Sequence, residues 1–181
     1  MSVSEGKFAQ IEQLWHDSKS IHASLAGCLS YSVWRDLDLS ERYAVLTEFA
    51  SEESLEGVIT KLESSGVAER LTNLLDTPPD MRQIRVDTHQ GKGLGELKGG
   101  DMMSMSIRSS EPGFGNELER ETKQIFDSLQ FISGYLGAII GPNINLPEEV
   151  FGLAFWESRE AFEESLPAKS LYEVKLYGWI L

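Results

Sequence analysis

The feature that most constrains this chain is an internal repeat with a fixed spacing of 107 residues (134 minus 27). Residues 27–56 align with residues 134–163 without a gap, and 8 of the 30 positions are identical. Similar residues fill further positions, including Phe49 opposite Trp156. The same spacing also places the inward face of one predicted helix on that of a later helix. Such a repeat indicates two diverged copies of one structural module.

Both copies are predicted to share one order of elements: a helix, two strands, a second helix and a last strand. Apolar residues spaced three and four apart indicate the helices, and short apolar runs between turn residues indicate the strands. In the first copy the elements span 4–25, 28–34, 42–49, 51–64 and 83–87, with an additional helix at 67–75. In the second copy a strand at 102–107 is followed by elements at 116–132, 135–140, 150–156, 158–165 and 174–180.

The first module is predicted to span residues 1–88 and the second residues 101–181, joined by a Gly-rich linker at 89–100. The first module is expected to lack a leading strand, since only a few residues precede Ser4. A sheet that is one strand short has an edge that invites another chain. Monomer and homodimer therefore both remain open.

The strand at 150–156 is apolar on both faces, because its sequence Val-Phe-Gly-Leu-Ala-Phe-Trp contains no polar residue. A strand buried on both sides needs cover on both sides. Helices cover one face of a small sheet, and the sheet of the other copy is available to cover the second. We therefore predict an α+β fold in which two antiparallel sheets pack face to face as a pseudo-dimeric α/β barrel. Two independent domains joined by the linker are the alternative.

A second pattern consists of Ser-Gly-Tyr-Leu at 133–136 and Phe-Trp-Glu-Ser-Arg-Glu-Ala-Phe at 155–162. A Trp-Glu-Ser that opens the second helix, after a Gly that ends the first, resembles the antibiotic biosynthesis monooxygenase family of dimeric α/β barrels. Residues 48–55 repeat the pattern in a degraded form. The resemblance implies two ferredoxin-like modules, paired here within one chain.

Known activities of that family include oxygenation of aromatic polyketides without a cofactor and oxidative degradation of heme. In the oxygenases an Asn and a Tyr flank the family Trp, whereas Gly152 and Phe162 stand at those positions around Trp156. In the heme-degrading members a His that follows the Trp ligates iron, but here no His follows His89. The resemblance thus implies an apolar or aromatic small molecule as ligand and no cofactor, and the missing His argues against heme degradation.

His22 is the candidate catalytic residue. It lies on the predicted inward face of the first helix, where the second copy has Leu129, and Ser18 on the same face is matched by Ile125. A His and a Ser on an otherwise apolar face can line a polar pocket, and His can transfer a proton near neutral pH. A hydrogen-bonded core histidine is the alternative.

Five side chains are predicted to contact a ligand: Trp15, Ser18, Tyr31, Trp34 and Trp156. Small-molecule pockets are mostly apolar with a few polar groups, which matches this set. Ordinary core packing is the alternative for the aromatic residues. The three His and the single Cys show no metal-ligand spacing, so no metal site is expected.

The net charge of -13 argues against nucleic acid and anionic membranes as partners. Cys28 is the only cysteine, which fits a reducing compartment. The first residues form no signal pattern, and no apolar run approaches the ~20 residues that span a bilayer. A cytoplasmic protein is expected. Two functions remain open: a cofactor-independent monooxygenase-like enzyme, or a non-catalytic binding or assembly protein with the same barrel.

Overall fold

A computed structural model of the chain describes residues 1–166 and 174–181. The chain divides into two compact units, residues 1–80 with 180–181 and residues 81–179. The helices are α1 (Phe8–Ala23), α2 (Glu52–Ser64), α3 (Val67–Leu74), α4 (Gly115–Leu129) and α5 (Arg159–Ser165). The strands are β1 (Cys28–Asp36), β2 (Tyr43–Phe49), β3 (Thr88–Gly91), β4 (Met102–Ser109), β5 (Tyr135–Asn143), β6 (Leu146–Trp156) and β7 (Val174–Trp179). The predicted α+β class is confirmed.

The first unit is an antiparallel hairpin of β1 and β2 that is covered by helices. α1 packs on β1, and α2 and α3 pack beside α1. α1 turns one face inward because its buried residues recur at spacings of four and three, beginning with Ile11 and Trp15. These two side chains join Tyr31, Val33 and Tyr43 in one apolar core.

The first residues of the chain contact the outer side of β2. Ser2 forms an isolated antiparallel bridge with Arg42. Adding the repeat spacing of 107 to both residues gives Ser109 and Glu149, which are the last pair of the β4–β6 ladder. The position of a leading strand in the first unit is therefore represented by a single bridge.

The second unit contains five antiparallel strands in the order β7-β4-β6-β5-β3. α4 packs on β6 and β5, and α5 packs on β6. β6 is paired along both edges, with β4 and β5, and its residues Val150–Trp156 are buried on both faces of the sheet. Side chains from α4, α5 and the helix-facing side of the sheet form one core, which includes Phe126, Ala154 and Trp156.

The segment 89–100, predicted as a linker, instead belongs to the packed second unit. Its first residues form most of β3, which pairs with β5, and both Leu94 and Leu97 are buried. The segment predicted as a strand at 83–87 forms one isolated bridge and three backbone hydrogen bonds to residues 140–144, and the unit boundary falls after Asp80. The glycines of this region were interpreted as a sign of flexibility, whereas Gly91 sits where a side chain would strike the backbone of β5.

Two turn features recur in both units and account for the repeated sequence pattern. Gly27 and Gly134 follow α1 and α4 with φ angles of +85° and +80°, a conformation that other residues rarely adopt. Ser51 and Ser158 are the N-caps of α2 and α5, and each side chain accepts a hydrogen bond from a backbone N–H of the first turn.

Candidate functional site

The polar residues predicted on α1 lie together against β1 in the first unit. Ser18 and His22 are both buried, and the ring of His22 lies 4.6 Å from that of Tyr31, between centroids. Ser18 and His22 are one helical turn apart, so the periodicity of α1 brings both side chains to the same face. Ser18, His22 and Tyr31, which we call the His22 cluster, are therefore the candidate site residues that the structure brings into contact.

The hydrogen bonds of His22 define its tautomer. Its Nδ1 lies 2.7 Å from the backbone oxygen of Ser18, which can only accept, so Nδ1 carries a hydrogen. The Ser18 hydroxyl lies farther away, at 3.4 Å from Nδ1. Burial lowers the pKa of His22, and the hydrogen bond to the Ser18 carbonyl opposes this in part. Near neutral pH the ring is therefore neutral, and Nε2 carries a lone pair that can accept a proton.

Two aromatic side chains of the hairpin complete this environment. Burial raises the pKa of Tyr31 to about 12, although a hydrogen bond from the Ser18 side chain lowers it in part. Tyr31 therefore stays a protonated phenol at physiological pH. The ring of Phe49 lies 6.1 Å from that of His22. Phe49 was not among the predicted site residues, although the repeat aligns it with Trp156 and so could have indicated it.

Trp15 packs in the same apolar core as Tyr31, whereas Trp34 lies on the other face of the hairpin. Trp15 packs against Tyr43 at 5.0 Å, and within the described residues its buried indole N–H has no hydrogen-bond partner. Trp34 and Tyr31 are three residues apart in β1 and so point to opposite faces of the hairpin. The indole N–H of Trp34 donates to the hydroxyl of Ser32 at 2.8 Å. Trp34 and Tyr31 therefore do not face the same side of the hairpin.

Trp156 is a core residue of the second unit. It is 1% exposed, and its indole N–H donates to the Ser104 hydroxyl at 2.9 Å. Its ring meets those of Tyr135 and Phe162 edge to face, with centroids 5.5 and 6.1 Å apart. The polar atom of the side chain is thus satisfied within the protein.

The space beside Gly152 is filled by α4. A Cβ atom built on Gly152 would lie 2.4 Å from Cζ of Phe126 and 3.1 Å from the Ser106 hydroxyl. Phe126 is 4% exposed, whereas Ile125, which was predicted on the inward face, is 42% exposed. Ile125, three residues after Thr122, was predicted to face inward. In the structure Phe126, four residues after Thr122, faces inward instead. The space left by the absent side chain at position 152 is therefore filled by the ring of Phe126 and does not form a cavity.

A surface depression of about 410 Å³ lies beyond the end of α1. Its lining comes from residues 25–27, which follow α1, and from Glu53, Ser54 and Gly57 of α2. The depression begins three residues after His22, and its only charged lining group is Glu53.

We expect His22 to make the protein less stable in mild acid. Because the folded chain holds the pKa of His22 below its ordinary value, the unfolded chain takes up the proton first as the pH falls. The contribution of neutral His22 is thus fully present above about pH 6.5 and is lost progressively below it. Urea unfolding at several pH values should show the free energy of unfolding of the wild type falling more steeply than that of His22→Leu.

The repeat and the helix provide the controls for that measurement. Leu occupies the equivalent position 129, so His22→Leu uses a residue that the module accepts. His16 is exposed on the same helix, and His16→Gln should keep the wild-type loss because His22 is unchanged. Parallel pH curves for wild type and His22→Leu would contradict the assignment.

Known proteins resemble this chain both in fold and, over its first residues, in sequence. The described fold is that of an α+β protein with ferredoxin-like antiparallel modules, and solved structures share it over almost the whole chain. A sequence profile of the family described as antibiotic biosynthesis monooxygenase matches residues 1–57. The resemblance to this family is therefore confirmed, and the match lies in the copy in which the motif is degraded. No curated protein matches the sequence.

Three solved structures illustrate the likeness. A candidate monooxygenase from Fusobacterium nucleatum is 10% identical with a TM-score of 0.79, covering 98% of this chain and 88% of that one. An anthrone oxidase-like protein is 14% identical with a TM-score of 0.72, covering 100% and 88%. A heme-degrading enzyme from Listeria monocytogenes is 9% identical with a TM-score of 0.53, covering 91% and 94%. At these identities the likeness establishes the fold and carries no statement about activity.

Two properties of the described residues bear on partners. No helix within 1–166 and 174–181 is long and apolar enough to cross a membrane. The same ranges contain no group of three His, Cys, Asp or Glu side chains arranged to hold a metal ion.

Proposed function

We propose that the first unit binds a small apolar or aromatic molecule at the His22 cluster and that His22 accepts a proton from it. The observation that carries this proposal is the hydrogen bond from Nδ1 to the Ser18 carbonyl, which leaves Nε2 as a base. The rings of Tyr31 and Phe49 supply apolar surface beside it. A fixed neutral imidazole next to aromatic rings suits a ligand with an acidic C–H or O–H group.

The reaction we propose is cofactor-independent oxygenation, in line with the family resemblance. Removal of a proton from an activated CH₂ group gives a carbanion, which reduces O₂. One oxygen atom becomes the carbonyl of the product, and the other leaves as water with the two hydrogens. The chain's part is to bind the molecule in an apolar site and to accept the first proton at Nε2 of His22.

Oxygen uptake with anthrone as the probe tests this function. We expect wild-type protein to consume O₂ and form the quinone, and His22→Leu to lose about 100-fold or more of that rate, because general bases contribute rate factors of this size. His16→Gln should retain the full rate. An unchanged rate in His22→Leu would remove His22 from the chemistry.

A second candidate is a non-catalytic binding or assembly protein with the same fold. The observation that favours it is the filled space beside Gly152, where Phe126 occupies the position that a ligand would need in the second unit. Anthrone binding detected by quenching of the tryptophan fluorescence, with no O₂ consumption, would support this candidate. The absence of both binding and oxygen uptake would contradict small-molecule function at the His22 cluster.

We also propose a cytoplasmic location without nucleic-acid or membrane partners. The support is the single cysteine, Cys28, and the net charge of -13, which repels phosphate. Recovery of the protein with membranes or outside the cell on fractionation would contradict this proposal.

A further inference from the structure

The indole N–H of Trp15 is a buried hydrogen-bond donor without an acceptor. Trp15 is 1% exposed, and within residues 1–166 and 174–181 its Nε1 has no hydrogen-bond partner. Its neighbours include the rings of Tyr43 and Phe8, with centroids 5.0 and 6.1 Å away, and aromatic rings are weak acceptors at best. Leaving a buried donor unsatisfied destabilises a protein, so an N–H group in this state calls for an explanation.

The repeat places a second unpartnered polar atom at the equivalent position of the other unit. Adding the repeat spacing of 107 to Trp15 gives Thr122, which is 0% exposed and lies on the buried face of α4. In the described part of the chain its hydroxyl has no hydrogen-bond partner either. Few buried polar groups in folded proteins lack a partner. The coincidence of two at one position of a diverged repeat favours a role in binding over a role in packing alone.

The residue type determines what each of these two positions can bind. An indole N–H can only donate a hydrogen bond, so Trp15 requires an accepting atom from its ligand. The hydroxyl of Thr122 can both donate and accept. Only the first unit therefore has a strict requirement, and that requirement is for a hydrogen-bond acceptor.

Trp15 lies on the same face of α1 as His22. Both side chains belong to the buried face of the helix. Tyr31 packs in one core with Trp15, and its ring also contacts that of His22. Seven residues of helix rise about 10 Å, so the N–H of Trp15 and Nε2 of His22 are suited to different atoms of one ligand. A molecule that gives a proton to His22 would therefore meet Trp15 with another of its groups.

We propose that Trp15 is a specificity-determining residue that donates its indole N–H to a carbonyl oxygen of the ligand bound at the His22 cluster. This role rests on the function proposed above and adds a requirement, a carbonyl group apart from the acidic C–H. When His22 takes the proton from that C–H, negative charge spreads to a conjugated carbonyl oxygen, and a hydrogen bond to a charged acceptor is the stronger kind. Ligands without the oxygen leave the N–H unsatisfied and bind more weakly.

Nuclear magnetic resonance of the tryptophan side chains tests this contact in the wild-type protein. The probes are fluorenone and fluorene, which share their ring system and differ in a carbonyl group against CH₂. We expect fluorenone to move the indole proton signal of Trp15 downfield, as a new hydrogen bond does, and fluorene to cause no such shift. Trp34 and Trp156 are internal controls. Their N–H groups already donate to serine hydroxyls, so neither signal should move in this way.

A binding comparison tests the specificity of Trp15→Phe, which keeps an aromatic ring but removes the donor. By equilibrium dialysis we expect the preference for fluorenone over fluorene to be about tenfold weaker in Trp15→Phe than in wild type, the factor expected for one net hydrogen bond. Any loss of packing affects both ligands, so their ratio isolates the hydrogen bond. Thr122→Val removes the equivalent polar atom of the second unit and, as the matched control, should keep the wild-type preference.

The role of Trp15 and the proposed reaction can fail separately. Fluorenone has no acidic C–H group, so its binding does not depend on proton transfer to His22. A fluorenone-specific shift of the Trp15 signal without oxygen uptake from anthrone would support the contact and contradict the oxygenation. Oxygen uptake without that shift would keep the proposed function and overturn the role of Trp15. An unchanged ligand preference in Trp15→Phe, or failure of both probes to bind, would overturn it as well.

Discussion

Replacing Phe126 by Ala is expected to lower the free energy of unfolding by about 3–5 kcal/mol, the range measured for truncation of buried aromatic residues. The ring is 4% exposed and packs against the strand at Gly152, which has no side chain to move into the vacated space. The loss should appear as a lower urea midpoint with an unchanged dependence on denaturant. Ile125→Ala on the same helix is the control, and since Ile125 is largely exposed it should cost far less.

The same contact can be tested by exchanging the sizes of the two partners. Gly152→Val alone should destabilise the protein, because even its Cβ would lie 2.4 Å from Cζ of Phe126. In the Phe126→Ala background the new side chain has room, so the double variant should be more stable than the sum of the single effects predicts. A coupling energy near zero would show that Phe126 and Gly152 do not share one packing site.

The sequence was sufficient to predict most of the elements and their order, because these depend on local periodicity, but the strand expected at 83–87 is an exception. Helix boundaries agree within a few residues, and the predicted starts at 51 and 158 coincide with the N-caps Ser51 and Ser158. Details that depend on a partner across the core could not be obtained in this way. Whether α4 turns Ile125 or Phe126 inward is decided by the space over Gly152, which the helix sequence alone does not contain.

The candidate site shows the same difference between contacts set by local periodicity and contacts set by tertiary packing. Ser18 and His22 meet because helical periodicity alone brings residues four apart to one face. Tyr31 and Trp34 were assigned to one pocket by residue type, whereas strand alternation separates them. The contact of Phe49 with His22 crosses from β2 to α1 and depends on tertiary packing, for which only the repeat provided a sign.

The glycines of β5 lead to the second prediction of large effect. Gly141→Ala is expected to lower the free energy of unfolding by about 3 kcal/mol, the upper range for overpacking. Its Cβ would lie 1.7 Å from the backbone oxygen of Arg85, and a backbone atom cannot move aside as a flexible side chain can. The clash would break the hydrogen bonds from Arg85 N to Pro142 O and from Asp87 N to Ile140 O, both 3.1 Å.

Hydrogen exchange distinguishes the two ways in which this loss can occur. If residues 85–91 detach from β5 while the rest of the second unit holds, the Gly141→Ala variant loses amide protection at Asp87 and in β3 but keeps it in β4 and β6. Gly99→Ala, in the same Gly-rich region but with nothing within 4 Å of the added methyl group, is the matched control and should leave stability unchanged. Equal stability of the two variants would mean that the segment packs less closely on β5 than the structure has it. The distinction matters because residues 89–91 belong to the segment predicted as a Gly-rich linker, and their close approach to Gly137 of β5 helps to make that segment part of the second unit.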